Sequence, residues 1–149
     1  MKDFSVIVPV YNSAESLVEL FERLKHVFQS MNKTYEVIFV NDHSRDNSYQ
    51  VLKEIHKKNE GVIVVDLMKN YGQQNALMCG FHHCSGEYII TIDDDLQNPP
   101  EEIPKLYQKI VEGYDVVLGT YYIKQHRAYK NIGSYIVRKL NNKIFRVIA

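Results

Sequence analysis

The chain has 149 residues, 45% of them hydrophobic, with 18 basic side chains balanced by 18 acidic ones. That is enough for about one ordinary globular domain, which excludes a disordered chain, and zero net charge supplies no field for wholesale binding of nucleic acid. Two cysteines cannot staple a disulfide framework, no secretory leader pattern opens the chain, so a reducing compartment is expected, and apolar runs of about six residues fall far short of a bilayer span.

Short β-rich runs alternate with helical patterns from the N-terminus onward, the mark of a parallel sheet covered by helices. A strand is predicted over Phe4–Val10. It is followed, after Ser13 as a capping residue, by Leu17, Leu20, Phe21, Leu24, Val27 and Phe28 at helical spacing. A second strand over 35–40 leads to a helix opened by Asp46 or Ser48. A third over 61–67 leads to a helix over 73–84 that buries Leu77, Gly80, Phe81 and Cys84, with Gly80 small enough to bring helix and sheet together. A fourth over 87–92 runs through Asn98 and Pro99-Pro100 into a helix with the stripe Ile103, Leu106, Tyr107 and Ile110. A fifth strand is predicted over 114–119.

The zero net charge hides an asymmetry. No acid follows Asp115, whereas Lys124, Arg127, Lys130, Arg138, Lys139, Lys143 and Arg146 do, which leaves eleven basic against eighteen acidic side chains in the first 115 residues. Tyr129, Ile132, Ile136, Val137, Leu140, Ile144 and Phe145 are interleaved with those cations, a pattern for a basic amphipathic helix over about 124–149. Two readings stay open: a surface helix with snorkelling lysines, or a cationic face for an anionic membrane surface or an acceptor phosphate. Residues 1–149 read as one α/β domain carrying this tail.

Ligands of open parallel sheets sit beyond the carboxyl ends of the strands. Here those ends read Tyr11-Asn12, Asn41-Asp42-His43-Ser44, Lys69-Asn70-Tyr71-Gly72 and Asp93-Asp94-Asp95-Leu96-Gln97. Three consecutive carboxylates raise one another's pKa unless a cation neutralises them. A hard divalent ion does so through carboxylate oxygens, with the Gln97 amide oxygen as a further ligand. The rival explanation, acids capping the next helix, suits Asn98 better, because it directly precedes Pro99-Pro100. Asp42 is either a reader of a base or ribose edge or part of an ordinary helix start. Tyr11 is either a stacking platform for a planar base or a strand-end aromatic. Neither Gly-x-Gly-x-x-Gly nor Gly-Lys-Ser/Thr occurs, so a nucleotide would be held without the usual glycine loops. His82, His83 and Cys84 lack zinc-site spacing, and Cys79 and Cys84 read as small core residues.

The stretches Val8-Pro9-Val10-Tyr11-Asn12, Val40-Asn41-Asp42-His43-Ser44-Arg45-Asp46, Asn70-Tyr71-Gly72-Gln73, Ser85-Gly86-Glu87-Tyr88 and Asp93-Asp94-Asp95-Leu96-Gln97-Asn98-Pro99-Pro100 resemble the inverting family 2 glycosyltransferases. Those have the GT-A fold, a Rossmann-like, mostly parallel sheet flanked by helices. The aspartate-to-proline block, with Glu112-Gly113-Tyr114-Asp115-Val116-Val117, is most similar to the branch that uses polyprenyl phosphates, the dolichyl-phosphate mannose synthases and undecaprenyl-phosphate aminoarabinose transferases. The resemblance implies that Pro9, Tyr11, Val40 and Asp42 hold the donor base and ribose, and that Asp94 lies beside the donor phosphates. It implies that Asp93 and Asp95 are the catalytic pair holding Mg2+ or Mn2+, with Gln97 as an additional ligand, and that Lys130 and Ser134 hold the acceptor phosphate. Ser13 stands where relatives often carry a donor-binding Glu, His43 replaces a common Gly, and 119–122 lacks an arginine that relatives place there. It also implies a catalytic domain continuing past Ala149 toward membrane-associated helices, at the cytoplasmic face of the membrane.

The implied reaction moves a sugar, with inversion, from a nucleotide-diphosphate donor to a polyprenyl phosphate. A phosphate oxygen is already anionic and needs no dedicated base, and the metal stabilises the departing diphosphate. One alternative is elongation of a cell-surface polysaccharide at a sugar hydroxyl, which needs a carboxylate base. Ile92-Asp93-Asp94-Asp95 after a strand is also similar to the Asp-x-Asp pair of haloacid-dehalogenase-type phosphatases, although those carry it on their first strand. A catalytically silent nucleotide-binding module is the remaining alternative.

Overall fold

Residues 1–119 are described by the structure, a computed structural model. The chain separates into two units, Met1–Val116 and Val117–Ala149, and the architecture below is that of the first. Its elements are β1 (Phe4–Val10), α1 (Leu17–Ser30), β2 (Tyr35–Asn41), α2 (Ser48–Lys58), β3 (Val62–Asp66), α3 (Gln73–Phe81), β4 (Tyr88–Thr91), a 3-10 turn (Pro100–Glu102) and α4 (Ile103–Val111). The strands pair in parallel in the order β3-β2-β1-β4.

β1 has a partner on both edges, with Phe4 opposite Tyr35 on one side and Tyr88 on the other. All seven of its residues are buried, which explains why its sequence is an unbroken apolar run rather than an alternating one. Its side chains still alternate between faces. Phe4, Val6, Val8 and Val10 pack with Val37 and Phe39 of β2, the stripe of α1, Leu52 and Ile55 of α2, and Ile103 of α4. All six apolar residues expected on the inner face of α1 are buried, each contributing roughly 1.5–3 kcal/mol. The other face carries a smaller cluster, in which Ile38 and Val40 of β2 pack with Ala76 of α3, flanked by half-buried Cys79 and Cys84. Gly80 makes this contact possible, since a Cβ there would lie 2.3 Å from Ile7 Cγ2.

Four expectations change. Ser13 does not cap α1: the helix begins at Leu17 with Ser16 as its N-cap, and the Ser13 hydroxyl donates to Asp94. α3 ends at Phe81 rather than residue 84: the N–H groups of His82, His83 and Cys84 reach back three residues, to Cys79, Gly80 and Phe81, and tighten the last turn. Phe81 is consequently exposed and Leu77 half-buried. The third concerns 114–119, which is not a strand, because a short apolar run becomes strand only where an edge pairs with it, and no ladder among the described residues includes it. The N-cap of the second helix is Asn47 rather than Asp46 or Ser48: Ser48 is the first helical residue, and its N–H donates to Asp46 at 3.0 Å; Pro100 begins the turn that leads into α4. Lys130, Ser134 and the basic tail lie outside the described residues.

A polar lock sits at the amino edge of the sheet. Glu36, only 7% exposed, accepts from the Ser5 hydroxyl at 2.6 Å and the Ser85 N–H at 2.6 Å. The Ser5 oxygen in turn receives the Gly86 N–H at 2.8 Å. Burial opposes ionisation of Glu36, but these bonds from Ser5 and Ser85 outweigh it and hold the carboxyl below its ordinary 4.5. A depressed folded-state pKa stabilises above the unfolded pKa, and that stability is lost as pH falls through the folded value. Glu36→Gln is therefore expected to cost about 1–3 kcal/mol at neutral pH. Urea unfolding midpoints of the two proteins should converge as pH drops below 4.5; a gap independent of pH would refute the role of the charge.

Candidate functional site

The chain runs from β1 outward to β2 and β3 and then returns to β4 on the other side of β1, so the strand order reverses between β1 and β4. Diverging connections at such a switch point leave a crevice beyond the carboxyl ends of the strands. A cleft of about 430 Å³ opens there. Its walls are Pro9, Val10 and Tyr11 from the end of β1, Asp42 after β2, Asn70, Gly72 and Gln73 at the entry to α3, and Asp93, Asp94 and Asp95 after β4. The volume suits a small-molecule ligand.

Asp42 is 3% exposed, and its two oxygens accept separately from the backbone N–H of Tyr71 at 2.7 Å and of Gly72 at 2.8 Å. Its own N–H donates to the Val10 oxygen at 2.8 Å, so one residue ties the ends of β1 and β2 to the loop before α3. Gly72 has φ 88, a left-handed conformation that glycine adopts at no steric cost. Asp42→Asn puts an amide donor against one of two backbone donors. It is expected to cost about 1–3 kcal/mol and to speed hydrogen exchange at the Tyr71 and Gly72 amides; unchanged protection at both would refute the clamp.

The aspartates have been given different partners. Asp93 accepts from Gln73 Nε2 at 2.7 Å and from Asn98 Nδ2 at 3.2 Å. Asp94 accepts from the Tyr11 N–H at 3.0 Å and the Ser13 hydroxyl at 2.5 Å, while its carbonyl receives the Ser16 hydroxyl. The Asp95 carboxylate takes the N–H of Gln97 at 3.0 Å. None of the ion pairs among the described residues involves any of the three. Burial, then the charges of Asp95 and Asp94, push the Asp93 carboxyl above the ordinary carboxylate range, against the Gln73 and Asn98 bonds. A set of hard oxygen donors short of positive charge fits Mg2+ or Mn2+. Among the described residues no group of three or more His, Cys, Asp and Glu side chains is arranged as a metal centre.

Strain collects at the same end of the sheet. Asn12, His43 and Leu96, which follow β1, β2 and β4, all have left-handed backbones, with φ 56, 58 and 60. Such conformations cost free energy and persist where the surroundings enforce them. Position 43 is thus one where glycine would be unstrained. Of the residues expected at the donor, Pro9, Tyr11, Asp42 and Asp94 line the cleft and Val40 does not. Val40 is fully buried beneath α3, because the alternation along β2 sends it to the same face as Ile38. Sequence reasoning missed Gln73 as a partner of Asp93 and Ser13 as the partner of Asp94, since nothing local pairs residues so far apart in the chain, and it read the nearby Asn98 as a helix start rather than as a partner of Asp93.

The sequence profile of glycosyl transferase family 2 matches residues 5–147. The chain belongs to glycosyl transferase family 2. Its parallel sheet flanked by helices is the GT-A arrangement, and the glycosyltransferase family takes precedence over the phosphatase reading of the aspartates. Among solved structures, S. aureus TarS is 29% identical with a TM-score of 0.56, over 75% of this chain and 20% of TarS. TarS 1-349 in complex with UDP-GlcNAc is 25% identical with a TM-score of 0.59, over 86% of this chain and 38% of that one. The mannosyltransferase PcManGT from Pyrobaculum calidifontis, in complex with GDP-Man and Mn2+, is 22% identical with a TM-score of 0.66, over 88% of this chain and 38% of that one, a likeness of fold. The chain thus spans about a fifth to two-fifths of the length of these solved relatives.

Proposed function

We propose that this family 2 chain binds a nucleotide-sugar donor in the switch-point cleft and transfers the sugar, with inversion, to a polyprenyl phosphate. The observation that carries the reading is that the three aspartates beyond β4 line one cleft together with Tyr11 and Asp42. In this reading Pro9, Tyr11 and Asp42 hold the base and ribose, with Tyr11, 45% exposed as a residue, offering its ring for stacking. Asp93 and Asp95 hold Mg2+ or Mn2+ with Gln97 nearby. When bound, the ion supplies Lewis-acid stabilisation of the departing diphosphate. Gln73 and Asn98 keep the Asp93 carboxylate oriented. Solved relatives holding GDP-Man and UDP-GlcNAc support a nucleotide-sugar donor.

The acceptor assignment rests on the resemblance of the aspartate-to-proline block to the polyprenyl-phosphate branch. Lys130 and Ser134 hold the acceptor phosphate, and the basic tail meets an anionic membrane surface at its cytoplasmic face. No helix among the described residues is long and apolar enough to cross a membrane. A cell-surface saccharide hydroxyl is the competing acceptor. A thermal-shift screen of nucleoside diphosphates with and without Mn2+ tests the donor site. A ligand at 100 times its Kd adds about 2.7 kcal/mol of stability, so a melting shift that is larger with Mn2+ is expected, and no shift with any nucleoside diphosphate would overturn the reading. Radiolabelled transfer to an undecaprenyl-phosphate probe rather than to an oligosaccharide is the expected acceptor result.

A further inference from the structure

The chain leaving β4 is tied to α1 at two places before it enters α4. At the near end the Ser16 hydroxyl donates to the Asp94 carbonyl. At the far end the Arg23 guanidinium grips Glu101 of the 3-10 turn, Nε to Oε1 at 2.8 Å and Nη2 to Oε2 at 2.6 Å, a two-pronged bond that fixes orientation as well as distance. Ser16 and Arg23 are about two helical turns apart, roughly 10 Å along one face. Between the ties Leu96 has φ 60, a backbone that leucine keeps only where its surroundings enforce it, and it packs on the main core cluster. The Asp95 carboxylate is held by a bond from within this stretch, the Gln97 N–H at 3.0 Å, so it goes where the stretch goes. Pro100 and Ile103 are buried and keep the turn and α4 on the core in their own right. The Arg23 and Glu101 side chains, 29% and 53% exposed, form an ion pair too open to add much stability. What the pair supplies is geometry.

We infer that Arg23, through its fork with Glu101, is a positioning residue that holds the 95–98 loop in its binding shape from outside the cleft. Neither Arg23 nor Glu101 lines the cleft, so each acts through the chain between them and it. The inference rests on the donor-site reading above, in which Asp95 and Gln97 serve the ion. Helix α1 is a firm base for such a tether, because its inner face is buried along its length. With the fork gone, the strained stretch is tied at Asp94 alone of the two places, and relaxation of Leu96 toward an ordinary backbone carries Asp95 with it.

Hydrogen exchange at the Gln97 amide, and calorimetric titration of the 149-residue chain with UDP and GDP in the presence and absence of Mn2+, test this. Arg23→Ala is expected to speed exchange at Gln97 and to weaken the manganese-dependent part of nucleotide binding about tenfold or more, as for loss of a group that orients a ligating side chain. Metal-free affinity for the same nucleotide should be unchanged, and melting should fall by no more than about 4 °C, as for a half-exposed ion pair. Glu101→Ala should do the same, and the two together no more than either alone, because one bond is lost in all three. Arg23→Lys keeps the charge without the fork and should behave as Arg23→Ala does. A lysine variant matching the unaltered chain, additive losses in the pair, equal losses with and without Mn2+, or unchanged Gln97 exchange in Arg23→Ala would overturn the inference and leave the donor site standing. Equal affinity of the unaltered chain with and without Mn2+ would overturn both the inference and the metal reading on which it rests.

Discussion

Asp95→Asn is expected to abolish the manganese-dependent part of nucleoside diphosphate binding. Its carboxylate is the most accessible of the three, held by a local bond from the Gln97 N–H, whereas Asp93 is clamped between two carboxamides and Asp94 is tied to the β1 end. Asparagine keeps the shape and removes the charge. Changes to groups that merely orient a ligating side chain cost 10–100-fold in metal affinity, so loss of a ligating carboxylate should cost at least about 100-fold. Calorimetry with and without Mn2+ reads the difference. Equal affinity of the unaltered chain in the two conditions would remove the metal from the site, and an undiminished manganese effect in the variant would remove Asp95 from its ligands.

Phe4→Ala is expected to cost about 3–5 kcal/mol of stability. Phe4 is 2% exposed and starts the central strand. Its ring lies 5.2 Å from Phe28, 5.5 Å from Tyr88 and 5.1 Å from Tyr107, in contact with α1, β4 and α4 at once. Truncation opens a cavity where three elements meet, and rings fixed in tilted and edge-on arrangements cannot all move in to fill it. At roughly 2–4 °C per kcal/mol for a chain of this size, melting should fall by about 6–20 °C. A fall of a degree or two would mean that the cluster relaxes around the gap.

The elements most legible in the sequence were those whose burial is dictated by their own periodicity. β1 was readable to the residue, and so was the inner face of α1, because a doubly covered central strand and a one-sided helix leave unmistakable apolar patterns. The run over 114–119 carried an equally good strand pattern. It failed because strand formation needs an edge to pair with, which the segment's own composition does not report. Ser13 was a sound cap by type, but α1 begins only at Leu17, and the Ser13 hydroxyl donates to a carboxylate distant in the chain.

The candidate site divides the same way. Polar residues after apolar runs marked Tyr11, Asp42 and the aspartates, because the chain must leave a parallel sheet at the carboxyl ends of its strands, and ligands bind there. Val40 was legible as part of a motif but not as a core residue, since the face it occupies depends on the register of β2 against its neighbours.

By itself, the sequence determined the α/β class, the central strand, the edge on which the chemistry lies and the charge asymmetry, all of which follow from residue type and local spacing, and its motifs carried the resemblance to a glycosyltransferase family. Only the tertiary structure decided how three chemically identical aspartates differ. Gln73 and Asn98 reach Asp93, and Tyr11 and Ser13 reach Asp94, across as many as 83 residues of chain. Apart from the Asn98 bond, which is local, those pairings come from the assembled sheet, which sets the end of β1 and the start of α3 beside the chain leaving β4, an arrangement that no local stretch of the chain encodes.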